Sequence, residues 1–115
     1  MSIDELQTIC SRLKGVTEDI KWEDHLCFTI GGKMFLVTAP DRLPHSASFK
    51  VTEKDFGELT AWEGFIPAPY LARHQWVQVD DINRLGSKEW NYYIQQSYQL
   101  IAAGLPVKIK KQIGL

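Results

Sequence analysis

The sequence predicts an α+β fold: a two-layer sandwich in which a mainly antiparallel sheet of about five strands carries the N- and C-terminal helices on one face. Three observations predict it. Apolar residues recur at helical spacing near both ends of the chain. Between those ends, short alternating segments are joined by links too short for parallel crossovers. Finally, Gly31-Gly32 divides the apolar stretch Leu26–Ala39 into two runs, the pattern of a hairpin around a two-residue turn. Glycine takes positive φ at little steric cost, which such turns require.

The elements follow in order. Ser2-Ile3-Asp4-Glu5 is a capping box, with the Ser2 hydroxyl and the Glu5 carboxylate serving first-turn amides. Ile3, Leu6, Ile9, Cys10 and Leu13 then recur at helical spacing, and Gly15 is a stop, giving a helix over about 3–14. Glu18 to Asp24 alternates around Ile20 and Trp22 and reads as a short strand. The hairpin follows. Its second arm, Lys33 to Ala39, is apolar on both faces, which suits a strand in mid-sheet. Pro40 and Pro44 break the chain into a loop. Ser46 to Val51 alternates cleanly as a half-buried strand with one wet face. Thr52 caps a helix from Glu53 to about Trp62. Gly64 to Pro69 reads as irregular, and Tyr70 to His74 as one helical turn. Gln75 to Val79 is the last strand and Asp80 to Gly86 a turn. Ser87 caps the longest helix, Lys88–Ala103, ended by Gly104 and Pro106. Leu105 to Leu115 is left as a tail bearing Lys108, Lys110 and Lys111.

At 115 residues the chain fits one domain, spanning 1–115, and is long enough to bury a core without metal or disulfide staples. A net charge of −1 argues against a strong, global grip on phosphates, while leaving room for a local basic patch. Cys10 and Cys27 form no CxxC or zinc spacing and read as buried thiols in a reducing cytosol. No secretory signal is visible, and no apolar run approaches the ~20 residues of a membrane helix. A cytoplasmic protein without membrane contact is expected.

Sites for chemistry are scarce. His25, His45 and His74 sit in no HxH or HExxH motif, so separate surface histidines are expected and no metal site. No serine or cysteine lies in a nucleophile elbow, and Gly31-Gly32 lacks a phosphate-loop fingerprint. The expectation is a non-catalytic protein without a cofactor. The acids Glu18, Asp19, Glu23 and Asp24 could bind a cation, but their alternation with Ile20 and Trp22 favours a solvated strand face. The most unusual stretch is Pro69-Tyr70-Leu71-Ala72-Arg73-His74-Gln75-Trp76, where aromatic and basic side chains interleave. Such a mixture can stack on bases and neutralise phosphates. It can equally be packing, with Trp76 in the core and Arg73 laid along a ring; composition alone favours packing.

The same residues carry a resemblance. Gly31-Gly32-Lys33-Met34-Phe35, the segment from Pro69-Tyr70 to Arg73-His74-Gln75-Trp76, and Ser97-Tyr98 occur in the order and spacing of the MmcQ/YjbR family of small bacterial proteins. In place of a polar or basic pair after the tyrosine, this chain has Leu71-Ala72, which thins the positive charge there. The resemblance implies a frataxin-like α+β fold and a DNA-binding role attached to a "double wing" of hairpins. It brings no catalytic residues. On that reading Lys33, Lys50, Arg73 and His74 contact phosphates, Trp76 stacks or wedges, and binding to DNA is weak and salt-dependent. The rival reading is a non-catalytic module that binds a protein or small ligand through an aromatic surface near Tyr70 and Trp76.

Overall fold

The computed structural model describes all residues, Met1–Leu115. It is an α+β fold with a six-stranded antiparallel open sheet and four α-helices. The strands are β1 (Val16–Lys21), β2 (His25–Ile30), β3 (Lys33–Thr38), β4 (Ala47–Lys50), β5 (Phe65–Pro67) and β6 (Trp76–Val79), in spatial order β1-β2-β3-β4-β6-β5. The helices are α1 (Ile3–Ser11), α2 (Glu53–Leu59), α3 (Ser87–Ala103) and α4 (Val107–Ile113).

Register divides the side chains between two faces. Glu18, Phe28, Leu36, Phe49, Val77 and Pro67 lie in one transverse row, through successive pairings across the sheet. Facing that side, α1 contributes Leu6 and Cys10 and α3 contributes Trp90, Ile94 and Tyr98 to a single core of 21 buried residues. The next row, Asp19–Cys27–Val37–Ser48–Gln78–Ile66, points to the opposite face, over which no helix packs.

The β2–β3 turn behaves as the glycines require. Gly31 and Gly32 have φ of +58° and +82°, and a β-carbon on Gly31 would come within 2.7 Å of Leu105 Cδ1. The turn is therefore seated on the chain just before α4. Here the expected tail is corrected: Leu105, Ile109 and Ile113 pack onto the core, and burying them folds the segment into a helix.

Further boundaries differ: α2 ends at Leu59 rather than near Trp62, and Gly86, not Ser87, is the N-cap of α3, with Glu89 accepting from its amide. The first strand ends at Lys21, because Trp22 and Glu23 turn the chain with φ of +51° and +72°. Phe65–Pro67, expected to be irregular, pairs with β6 as an edge strand, where Pro67 is tolerated. The first helix ends at Ser11, before Gly15 (φ +75°).

Ser97 locks the middle of the sheet. Between β2 and β3 the register shifts: Phe28 faces Leu36 but Thr29 faces Met34, so Phe35 is a bulged residue, turned with Leu36 into the core. The Ser97 hydroxyl donates to the Phe35 carbonyl (2.5 Å) and accepts from the Lys50 amide (3.0 Å). The neighbouring Tyr98 hydroxyl donates to the Lys14 carbonyl (2.6 Å), tying the α1–β1 link to α3.

Candidate nucleic-acid interface and sheet-face groove

The antiparallel order gives the sheet two ends that differ in charge: cations predominate at one, where α2 also begins with Glu53, and acids at the other. At the end marked by Gly31-Gly32 lie Lys33 at the start of β3, Lys50 at the end of β4, and Arg73 and His74 in a 3₁₀ turn before β6. Helix α4 brings Lys108, Lys110 and Lys111 to the same end, where Lys14 Nζ donates to the Gly114 carbonyl (2.9 Å). The far end holds Glu23, Asp24, Asp41, Glu63, Asp80 and Asp81 in its turns and loops. Both Arg–carboxylate ion pairs of the protein are at this far end, Asp24 with Arg42 (3.7 Å) and Arg84 with Asp80 (2.5 Å), and His25 Nδ1 lies 2.7 Å from Asp24 Oδ1 there. The hydrogen bond from Arg84 holds the Asp80 carboxyl below the usual range. None of the cations at the near end is in an ion pair.

Four of the five residues expected to meet phosphates and bases come together there, and one does not. Lys33, Arg73 and His74 are exposed; Arg73 Nε donates to His74 Nε2 (3.3 Å). Lys50 is half-buried, and its Nζ donates to the His74 carbonyl (2.5 Å), holding the 3₁₀ turn to the sheet. Trp76 is corrected: it is only 5% exposed. Paired with Lys50, it points to the helix-free face, and the 68–75 connection is hydrogen-bonded back to its backbone. Trp76 N donates to the Leu71 carbonyl and Ala68 N to the Trp76 carbonyl. A side chain so buried offers no face to a base.

Two hairpins, β2–β3 and β5–β6, both turn at the basic end, and their tips carry Lys33 and Arg73. The β1–β2 hairpin turns at the other end. The acids of β1 are not gathered around a cation: Glu18 lies on the helix side, accepting from Gln7 (2.8 Å) and Ser11 (3.1 Å), whereas Asp19 faces the opposite way.

The helix-free face holds a second feature that the sequence reading located only in part. A groove of about 540 Å³ crosses it, floored by Met34, Val37, Ser48 and Gln78. Trp22, 65% exposed, stands at one side and Tyr70, fully exposed, at the other. Both have left-handed backbones, φ +51° and +67°, which cost non-glycine residues roughly 1–2 kcal/mol each. Tyr70 was legible as an aromatic in a mixed stretch. Trp22 was not, because alternation continued through Lys21 and no glycine or asparagine marked the turn.

The thiols offer little reactivity. Burial pushes both up, and Cys10 lies in the core while Cys27 lies on the opposite sheet face. No helix is long and apolar enough to cross a membrane.

Fold and surface together define a class: a small two-layer α+β protein with an open sheet face and one basic end. The chain belongs to the YjbR family, whose sequence model matches residues 11–100. No curated protein matches it. Among solved structures it is similar to Deinococcus radiodurans protein DR2400, with a DUF419 domain, at TM-score 0.87 and 24% identity over 99% of this chain and 88% of that one. It is also similar to a Pseudomonas syringae structural-genomics protein, at TM-score 0.72 and 22% identity over 88% of this chain and 99% of that one. At these identities the likeness carries the fold.

Proposed function

We propose that this YjbR-family protein is a non-catalytic nucleic-acid-binding module of the cytoplasm, contacting DNA with the basic end of its sheet. The observation that carries the reading is the unpaired state of Lys33, Arg73, Lys108, Lys110 and Lys111 at one end, while the ion pairs sit at the other. An ion-paired cation gives up its partner before it meets a phosphate; these do not have to. The two hairpin tips supply a double-wing geometry, with Lys33 and Arg73 as leading charges and Lys50 and His74 bracing the second tip. Trp76 takes no direct part.

Binding is electrostatic and modest, because few cations converge. The affinity for a labelled duplex, read by fluorescence anisotropy, should fall with salt by about 0.9 log units per log unit for each phosphate contacted. Lys33→Glu with Arg73→Glu should lower both affinity and slope. Lys88→Glu, at the far end, should leave both nearly unchanged. Absence of duplex binding at low salt, or equal losses from the two charge changes, would refute the proposal. The rival reading, a small-ligand or protein module near Tyr70 and Trp76, is favoured by one observation, the groove beside Tyr70.

A further inference from the structure

We infer that the groove on the helix-free sheet face is a binding site for a nucleobase, an uncharged planar heteroaromatic ring held between Trp22 and Tyr70. Four observations converge on this ligand. Its volume, about 540 Å³, is in the range of small-molecule sites. Two of its exposed lining residues, Trp22 and Tyr70, are aromatic, and stacking is how proteins hold bases without regard to sequence. Both project from turns whose left-handed backbone fixes where the rings stand, Trp22 in the β1–β2 turn and Tyr70 in the β5–β6 connection. The hydroxyls of Ser46 and Ser48 and the amide of Gln78 line the groove without a hydrogen-bond partner in the protein. An amide presents a donor and an acceptor side by side, which matches the paired edge of a base.

Charge narrows the choice. The lining holds no lysine, arginine or carboxylate and one histidine, His25, whose Nδ1 lies 2.7 Å from Asp24 Oδ1, so little in the groove favours a charged ring. A phosphate would meet no lysine or arginine inside it. The Tyr70 side, however, runs directly into Arg73 and His74, so a phosphodiester attached to the base would leave the groove toward the basic end. The ring can therefore come from a free nucleoside or from an unpaired base in a strand. The inference stands apart from duplex binding, since a nucleoside can bind where DNA does not.

The test is a two-dimensional NMR titration of the full chain with adenosine, guanosine, cytidine and thymidine, then with a short single-stranded oligonucleotide. At least one nucleoside should shift the Trp22 indole and the Ser48 and Gln78 resonances saturably. Trp22→Ala and Tyr70→Asn should each weaken binding about tenfold, with the remaining spectrum confirming the fold. The Lys33→Glu, Arg73→Glu protein should bind the nucleoside as before. A strand that binds more tightly than the nucleoside, by a margin that this charge change removes, identifies the strand as the source; equal affinities identify the nucleoside. No shift with any nucleoside or with the oligonucleotide at roughly 10 mM, or shifts indifferent to both aromatic substitutions, would overturn the inference.

Discussion

Replacing Ser97 by alanine removes one oxygen and leaves two strands unsatisfied. Ser97 is fully buried on α3, and its hydroxyl serves the Phe35 carbonyl and the Lys50 amide at once. Phe35 is the bulged residue of β3, and Ser97 bridges its carbonyl to the Lys50 amide of β4, just beyond the Leu36–Phe49 pair. Alanine at 97 adds no compensating group, and a water has little room beside side chains that are themselves fully buried. Each orphaned buried group costs about 1–3 kcal/mol. The Lys50 amide is only partly buried and belongs at the lower end of that range, so the sum is about 2–4 kcal/mol. Against a total stability of order 5–15 kcal/mol this is a large fraction. Urea denaturation followed by tryptophan fluorescence reads it directly, and thermal melting should show a fall of about 8–16 °C. Ser48→Ala is the control. Its hydroxyl faces the groove and has no protein partner, so stability should change by less than about 0.5 kcal/mol. A loss for Ser97→Ala no larger than that of Ser48→Ala would refute the claim that this hydroxyl holds the bulge.

Other outcomes follow from the same geometry. Gly64→Ala should destabilise by about 1–2 kcal/mol in a urea melt, since φ there is +86° and the new methyl meets the Arg84 side chain that pairs with Asp80. Arg84→Ala should raise the Asp80 pKa in an NMR titration; the paired carboxylate favours folding above about pH 4 and loses that contribution as pH falls through its lowered folded value. On the alkaline side, burial pushes Tyr93 up to about 12 and raises Tyr98 as well. Unfolded tyrosines ionise near pH 10, so stability is whole below that value and should decline between about pH 10 and 12; a urea midpoint constant across that window would contradict this. Tyr70→Asn should stabilise by about 0.5–1 kcal/mol, because asparagine tolerates φ +67° and the fully exposed ring packs on nothing.

What was legible in the sequence was whatever the core dictates. The hairpin at Gly31-Gly32, the alternation of Ala47, Phe49 and Val51, and the stripe of Trp90, Ile94 and Ser97 all arise from burying one face of each element, and periodicity records burial directly. The C-terminal helix leaves little mark in the sequence because Leu105, Ile109 and Ile113 make a stripe too short to stand out beside three lysines; their packing under the Gly31 and Gly15 turns gives it its purpose. Phe65–Pro67 escaped because a proline in a three-residue edge strand looks like a loop. Trp76 was ambiguous for a deeper reason. Its alternation places it on the helix-free face, yet it is buried, and alternation reports which face a side chain takes, not what lies over that face.

The two faces of the sheet are built on different terms. On the helix side, Ser97 serves two backbone groups, Tyr98 reaches Lys14, Trp90 Nε1 donates to the Ile82 carbonyl (2.8 Å), and Asp55 accepts from Tyr92 and Gln96. On the other side, Trp22 and Tyr70 hold disfavoured backbone, and Ser46, Ser48 and Gln78 stand unpartnered. A sequence selected for stability alone would place asparagine or glycine at 22 and 70 and pair or remove the free hydroxyls. Net charge obscures a similar division: −1 overall arises from a basic end and an acidic end that nearly cancel, with ion pairs only at the acidic one. Unmatched groups gathered on one face and one end have a physical explanation when a ligand completes them. The near end then offers charge to phosphates, and the open face offers stacking and hydrogen bonds to a base. The Tyr70–His74 segment joins the two, so its exposed side chains are where substitutions should weaken binding without weakening the fold.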